Sequence, residues 1–305
     1  MIALKQILVA TDFSDESAAA LHQALRVSRR TGAELVLLHV SELPLPDPGR
    51  VLRPELAALE KTAEVHLADV RRRLDDLVER TKGQGPAVSK VFTEGYPDDR
   101  IAAVARELRA GLVVVGTRGR TGLRRLMLGS VAERVVRLAE TNVLVARREA
   151  TPTPSDGFHR VLVPTDFSEP ADEALALAVS LAAPEGLVEI LHVLFSPFVV
   201  GYPEYFGGSV IEMEHWRVAA REDAQGRMQA LIGRLGRSGV RLTGHVAEGA
   251  PTLEIQRRLE SDPYDLVVMG THGRRGFRRG LLGSVAEATV RHAPCSVLAV
   301  RAEER

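Results

Sequence analysis

Cysteine is almost absent from this chain of 305 residues. A single cysteine, Cys295, excludes an internal disulfide framework and is typical of proteins in a reducing cytosol. It opens the last apolar run of the chain, so we interpret it as a small packing residue rather than a catalytic thiol. Net charge is absent too, because 40 basic and 40 acidic residues cancel. No overall field therefore attracts nucleic acid or an anionic membrane, and we expect neither as a partner.

Long hydrophobic runs are also missing. No apolar stretch approaches the ~18 residues of a membrane span. The first residues, MIALKQILVATDF, lack the charged start, long apolar stretch and cleavage site of a signal peptide. We therefore expect a cytoplasmic protein. Its hydrophobic content of 45% is ordinary for a globular chain, and its length suits about two domains of ~150 residues.

What the chain does contain is a long internal repeat. Residues 116–130 read GTRGRTGLRRLMLGS, and residues 270–284 read GTHGRRGFRRGLLGS. Each stretch follows an apolar run and opens a helical pattern, with the spacing G-x2-G-x9-G-S. A strand that leads through a glycine-rich loop into a helix is an arrangement that binds anions. The duplication makes a weak single motif into a strong signal for a pair of sites.

Apolar runs of strand length alternate with amphipathic, helix-length segments in both halves. In the first half the predicted strands are residues 7–10, 35–40, 88–93, 112–115 and 143–146. This order predicts an α/β fold with two repeated domains, each a five-stranded, parallel, doubly wound, Rossmann-like sheet. We predict a first domain at 1–148, a linker at 149–158 and a second domain at 159–305. Ligands of such sheets bind beyond the carboxyl ends of the strands, where Asp12 and Gly116 would face each other if strands one and four are neighbours.

The loop residues suggest how an anion would be held. Gly116 and Gly119 would adopt positive φ and let the backbone approach a ligand. Gly129 and Ser130 begin a helix, whose unpaired N–H groups and dipole favour phosphate; Ser130 would also cap that helix. The alternative is that these glycines only shape a tight turn. The aspartate placed opposite the loop in both halves favours the binding site.

Arginines surround both loops and allow two interpretations. They could clamp a polyphosphate, or they could form a solvated surface. Arg118 and His272, which stand between the paired glycines, are the best placed to reach a ligand. We interpret His39 and His192, which follow apolar strands, as packing residues. The full set of loop arginines is Arg118, Arg120, Arg124, Arg125, Arg274, Arg275, Arg278 and Arg279.

Several catalytic motifs are missing. No G-K-[ST] follows either loop, which argues against a Walker-type phosphate site. A G-x-G-x-x-G fingerprint at the first strand-to-helix turn is absent, as are a nucleophile elbow and a Cys/His cluster with metal-ligand spacing. No evident general base is present. Binding is therefore better supported than catalysis, with at most slow hydrolysis.

Four motifs together resemble the universal stress protein family: TDFS after strand one, LHV at the end of strand two, an E-G-x-P turn, and G-x2-G-x9-G-S. They cover nearly the whole chain twice, so it resembles a tandem member of the branch that binds ATP. This implies an adenine nucleotide α-hydrolase-like fold and ATP, ADP or AMP as ligand, with or without Mg²⁺. At positions 10 and 118, Ala10 and Arg118 differ from the residues that are usual in these motifs.

The resemblance implies site residues by motif position. Thr11 and Asp12 would line the adenosine, the backbone of Val40 would recognise adenine, and the loop would hold ribose and phosphates. The implied residues of the first half are Thr11, Asp12, Val40, Gly116, Arg118, Gly119, Gly129, Ser130 and Val131. Those of the second half are Thr165, Asp166, Val193, Gly270, His272, Gly273, Gly283, Ser284 and Val285.

The resemblance also implies an internal pseudo-dimer, in which residues 143–146 and 296–300 pair antiparallel and so cover two sheet edges. A homodimer of whole chains is a further expectation. Two alternatives to a regulatory ATP-binding protein remain. One is an adenylating enzyme of the related α-hydrolase group, although its usual glycine-rich loop after strand one is absent here. The other is a scaffold in which nucleotide is only structural.

Overall fold

The computed structural model describes residues 4–42, 53–117, 128–148, 156–195, 210–236, 239–271 and 282–301. Their strands form one ten-stranded sheet, and helices cover both of its faces. In the first half the elements run in chain order: β1 Gln6–Ala10, α1 Asp15–Thr31, β2 Glu34–Ser41, α2 Arg53–Thr81, β3 Val88–Glu94, α3 Pro97–Glu107, β4 Leu112–Gly116, α4 Ser130–Leu138 and β5 Asn142–Ala146.

The second half repeats this order. Its first strand includes Phe158, the last residue of the predicted linker. The elements are β6 Phe158–Thr165, α5 Glu169–Leu181, β7 Ala182–Leu194, α6 Val210–Leu235, β8 Arg241–Glu248, α7 Pro251–Ser261, β9 Leu266–Gly270, α8 Ser284–His292 and β10 Ser296–Val300.

The strand order across the sheet is β3-β2-β1-β4-β5-β10-β9-β6-β7-β8. Neighbouring strands within each half are parallel. The halves join where β5 and β10 pair antiparallel, with Leu144 opposite Leu298. The predicted doubly wound domains and their internal pseudo-dimer are therefore confirmed. The join also gives each of these two edge strands a hydrogen-bonded neighbour.

Both faces of the sheet are buried, which explains why the strands read as continuous apolar runs. Along β1, Ile7 and Val9 pack towards α1 and α2, whereas Leu8 packs towards α3 and α4. All three side chains are fully buried. In the second half α5 and α6 cover the first face, and α7 and α8 cover the other. Helices α4 and α8, which follow the two glycine loops, thus lie on the same face of the joined sheet.

Charged side chains link α4 to α8 across the pseudo-twofold axis. The guanidiniums of Arg137 and Arg291 each lie 3.0–3.3 Å from the carboxylates of both Glu133 and Glu287. Each of the four charges therefore has partners in its own helix and in the other half. Arg301 extends this link by donating to the Val136 and Arg137 carbonyls at the end of α4. The two helices that begin at the candidate sites are held together by these contacts.

Candidate functional site

The turn between β1 and α1 is built by its own side chains. Thr11 Oγ1 accepts the Phe13 N–H at 3.1 Å, and Asp12 Oδ1 accepts the N–H and the hydroxyl of Ser14 at 3.0 and 2.5 Å. Ser14 Oγ in turn accepts the Ser17 N–H and caps α1, as predicted. These bonds hold Phe13 at a φ of 63°, a left-handed conformation that a bulky residue rarely adopts. The turn is therefore a fixed platform beyond the carboxyl end of β1.

The second half reproduces this turn closely. Thr165 Oγ1 accepts the Phe167 N–H at 3.0 Å, and Asp166 Oδ1 accepts the Ser168 N–H at 3.1 Å and its hydroxyl at 2.5 Å. Phe167 has a φ of 60°. The repeated TDFS motif thus specifies one local geometry twice, because its bonds are all between neighbours in the chain.

A histidine at the end of the second strand fastens each turn to the sheet. His39 Nδ1 lies 2.7 Å from the Thr11 carbonyl oxygen, and its ring stacks on Phe13 at 4.7 Å. His192 Nδ1 lies 2.8 Å from the Thr165 carbonyl oxygen. His39 is buried, with 4% of its surface exposed. Both rings are therefore packing residues, as the sequence predicts.

Strands β1 and β4 are neighbours, with Val9 opposite Val114. The ends of these strands therefore bring Asp12 and Gly116 to the same edge of the sheet. The prediction that Gly116 adopts a positive φ is wrong, because its φ is not positive. A Cβ there would instead lie 2.8 Å from the backbone carbon and oxygen of Glu16, a clash with the first turn of α1. Glycine at this position allows β4 to approach α1 closely.

Each glycine loop is closed at its base by a backbone hydrogen bond. The Gly129 N–H donates to the Thr117 carbonyl at 2.7 Å, and the Gly283 N–H donates to the Thr271 carbonyl at 2.9 Å. Both threonines are buried. Thr117 and Thr271 were missed as site residues, although the repeated G-T at the same offset in both halves was a usable signal.

Loop residues 118–127 and 272–281 lie outside the described residues. They include four predicted site residues, Arg118, Gly119, His272 and Gly273, and the remaining loop arginines Arg120, Arg124, Arg125, Arg274, Arg275, Arg278 and Arg279.

The helices after the loops begin one residue earlier than predicted. Gly129 is the N-cap of α4 and Ser130 is its first helical residue, so the prediction that Ser130 caps the helix is wrong. The Gly129 N–H is committed to the loop base, which leaves the N–H groups of Ser130 and Val131 as the first ones without an acceptor in their own helix. Together with the helix dipole they provide a partial positive charge suited to an anion.

The same correction applies to the second half, where Gly283 caps α8 and Ser284 is its first helical residue. Ser284 and Val285 therefore take the places of Ser130 and Val131. A Cβ on Gly283 would lie 3.2 Å from the Thr271 carbonyl oxygen, so a larger residue would disturb the loop base.

An apolar wall lies beside each helix start. Val40 at the end of β2 and Val131 on α4 are partly buried against the core on the α3 and α4 face, together with Ala10. Val193 and Val285 occupy the matching places in the second half. The structure therefore brings the predicted Val40, Gly116, Gly129, Ser130 and Val131 to one edge. The Thr11 side chain, in contrast, lies against α1, where its Oγ1 is 3.1 Å from Ser17 Oγ.

These features define a two-domain α/β protein that carries one candidate anion-binding edge in each domain. The model of the universal stress protein family matches residues 3–147 and again residues 157–301. The chain therefore belongs to the universal stress protein family, with two copies of the domain in tandem.

Individual relatives agree with this assignment. A universal stress protein of Mycolicibacterium smegmatis is 30% identical over 314 residues, which cover 97% of this chain and 96% of the relative. One of Methanocaldococcus jannaschii is 32% identical over 144 residues, 47% of this chain and 82% of that protein. The crystal structure of a universal stress protein from Archaeoglobus fulgidus matches 97% of this chain and 98% of its own, with a TM-score of 0.68 and 22% identity, and shows the shared fold. In the described part of the chain, no helix is both long and apolar enough to traverse a bilayer.

Proposed function

We propose that this protein binds an adenine nucleotide, ATP in the first instance, at the carboxyl edge of each half-sheet and acts as a cytoplasmic regulatory protein in the stress response. The observation that carries the proposal is the duplicated edge itself. In each half a helix begins with backbone N–H groups that have no acceptor in their own helix. A partly buried valine lies beside this helix start, and the TDFS turn with its aspartate lies opposite. Such an edge offers separate surfaces for phosphate and for a base.

The chemistry of the edge suggests how the ligand would lie. Phosphate oxygens would accept the N–H groups of Ser130 and Val131, with further contacts from the loop residues Arg118 and Gly119. The adenine would rest against the apolar wall and be recognised by the backbone of Val40. Asp12 would lie on the adenosine side.

In the second half the corresponding proposal uses Ser284 and Val285 for phosphate, Val193 for adenine and Asp166 on the adenosine side. The loop residues His272 and Gly273 and the strand end Gly270 complete that set.

The proposed role is binding with at most slow hydrolysis. His39 and His192 each contact the backbone carbonyl at the end of strand one through Nδ1, and the His39 ring is buried against Phe13, so we assign both a packing role rather than that of a general base. Within the residues that the structure describes, no three His, Cys, Asp or Glu side chains are grouped to hold a metal ion. Any Mg²⁺ is therefore expected to arrive bound to the phosphates of the nucleotide.

Isothermal titration of nucleotide-stripped protein with ATP, ADP and AMP tests the proposal. We expect two ATP equivalents per chain. Gly129→Val or Gly283→Val should leave one, because the added side chain distorts a loop base, and the double variant should bind none. Gly233→Val is the matched control, since a Cβ at Gly233 on α6 meets nothing within 4 Å. ATP binding that is unchanged in the folded double variant would refute the proposed site.

The assembly is the remaining part of the proposal. We propose that two chains associate as a homodimer built on the internal pseudo-dimer, and that nucleic acid and membranes are not partners. Light scattering of the purified chain with and without ATP measures the assembly directly, and a monomer under both conditions would contradict it.

A further inference from the structure

A groove of about 210 Å³ lies between α1 and α2 in the first half. It opens on the face of the sheet opposite α4 and reaches the β1–α1 turn at Thr11, Phe13 and Ser14, so it adjoins the proposed nucleotide edge but faces away from α4. Its floor is apolar, formed by Leu21 and Leu77, and its inner wall carries the buried hydroxyl of Ser17. An apolar floor with a few polar groups is the usual composition of a small-molecule site.

Two guanidiniums, Arg73 and Arg80 of α2, line the groove. Arg73 lies over the ring of Phe13, 4.2 Å from its centroid. No ion pair within the described part of the chain includes either arginine. Three acidic residues of α2 pair elsewhere, Asp69 with Arg72, Asp75 with Lys90 and Glu79 with Lys82, whereas Asp76 lines the groove itself. The groove therefore presents positive charge that the described residues do not neutralise by direct pairing.

The second half shows what such an arginine binds. Arg234 occupies the position of Arg80 in the repeat, and its Nη2 lies 2.8 Å from Asp172 Oδ2 on α5. The two halves share a further contact at this point, because Arg227 lies over Phe167 at 4.5 Å just as Arg73 lies over Phe13. The second half thus supplies its own carboxylate to the arginine.

The first half lacks a carboxylate at this position of α1. Ala18 stands where the second half has Asp172, and Ser17 stands where it has Ala171. Ala18 is exposed and lines the groove. The small side chain leaves room beside Arg80 at the place where a carboxylate is bound in the other half.

We propose that this groove binds a small organic carboxylate, whose anionic group pairs with Arg80 beside Ala18 and whose apolar body lies on Leu21 and Leu77. Asp76 also lines the groove, so the formal charges of its lining sum to one positive. A single positive charge suits a monocarboxylate better than a phosphate dianion. The volume of about 210 Å³ is below the ~300–1,000 Å³ of drug-sized sites, so only a small ligand fits.

The probe for the test is 3-phenylpropionate, with the uncharged 3-phenylpropanamide as its matched analogue. Titration followed by protein-observed NMR should show saturable binding of the acid in about the millimolar range or tighter, as expected for a ligand of this size. The amide should bind at least about tenfold more weakly than the acid, since it cannot form the charge-assisted bonds. Equal binding of acid and amide would overturn the proposal, as would no saturable binding of the acid.

Two substitutions locate the site. Ala18→Asp copies the carboxylate of the second half into the groove, so it should occupy Arg80 and weaken 3-phenylpropionate binding by about tenfold or more. Arg80→Gln should weaken binding to a similar extent. Arg234→Gln, the matched change in the second half, should leave it unchanged. Undiminished binding by folded Ala18→Asp protein would overturn the proposal. All three variants should bind ATP like the parent chain, so the result is independent of the proposed function.

Discussion

The two halves of the sheet fill one buried position in opposite ways. In the first half the position is apolar, with Val36 on β2 and Val104 on α3 both almost completely buried. In the second half Glu189 on β7 takes the place of Val36 and Arg258 on α7 takes that of Val104. Arg258 donates to both carboxylate oxygens of Glu189 at 2.6 and 2.8 Å, and the hydroxyl of Tyr264 donates to one of them at 2.8 Å.

The titration behaviour of this triad follows from its geometry. Burial acts to raise the pKa of Glu189, but the hydrogen bonds from Arg258 and Tyr264 outweigh burial and hold that pKa below the ordinary carboxyl value. Burial and the bond to Glu189 raise the pKa of Tyr264 to about 12. The same fold therefore accepts either an apolar contact or a buried ion pair at this point. The apolar contact and the ion pair differ in how much free energy of unfolding is lost when one of their side chains is removed.

The largest expected effect comes from removing a single member of the triad. Arg258→Met leaves the Glu189 carboxyl buried without its cation; because the Arg258 side chain is itself 32% exposed, the free energy of unfolding should fall by about 2–3 kcal/mol, less than for a fully buried pair. The triple variant Glu189→Val, Arg258→Met, Tyr264→Phe makes the position apolar, as in the first half, and should recover most of that loss. Urea denaturation measures both. A triple variant as unstable as Arg258→Met would show that the charges are not the cause.

A smaller effect is expected from pH. Because the pKa of Glu189 is lower in the folded state, the stability it contributes is present above its unfolded pKa, about 4.3, and is lost as pH falls through the folded pKa. Acid should therefore weaken the second half at this position, whereas the apolar position of the first half has no such dependence. Urea midpoints recorded from pH 6 to about pH 3 should fall less for the triple variant than for the parent chain. If the urea midpoints of the parent chain and the triple variant fell equally with pH, the acid dependence could not be assigned to Glu189.

The smallest expected effect concerns the helix caps. Ser14 caps α1 by accepting the Ser17 N–H, whereas Ser168 at the matching position forms no side-chain cap bond to α5. Ser14→Ala should therefore cost about 1 kcal/mol, and Ser168→Ala should cost less. Each change also removes a hydroxyl bond to the preceding aspartate, which makes the pair a matched comparison. Thermal unfolding of both variants measures the difference, and a larger loss for Ser168→Ala would be the contrary result.

Much of the fold could be predicted because its determinants are local in the chain. Ile7, Leu8 and Val9 are apolar because β1 is covered on both faces, and that pattern is visible without a structure. The TDFS turn was equally predictable, since its bonds join residues two or three positions apart. The sequence therefore placed the TDFS turns and the bases of the glycine loops at the carboxyl edge of the sheet, where the structure has them.

The predictions that were wrong at the site concern contacts between elements. The role of Gly116 depends on how closely β4 approaches Glu16, which lies one hundred positions earlier in the chain. The start of α4 depends on the bond from the Gly129 N–H to the Thr117 carbonyl, which commits the backbone before Ser130 can act as a cap. Neither the approach of β4 to Glu16 nor the bond between Gly129 and Thr117 is visible in a local sequence pattern.

The sequence by itself determined the repeat, the alternation of strands and helices, the paired glycine loops and the turn that faces them. These follow from residue type and short-range hydrogen bonding. Only the tertiary structure decided which charges meet. Asp172 and Arg234 are 62 residues apart and form an ion pair only because α5 packs beside α6. The corresponding packing of α1 beside α2 in the first half leaves a groove lined by Arg80 and Ala18, because Ala18 stands where the second half has the Asp172 carboxylate.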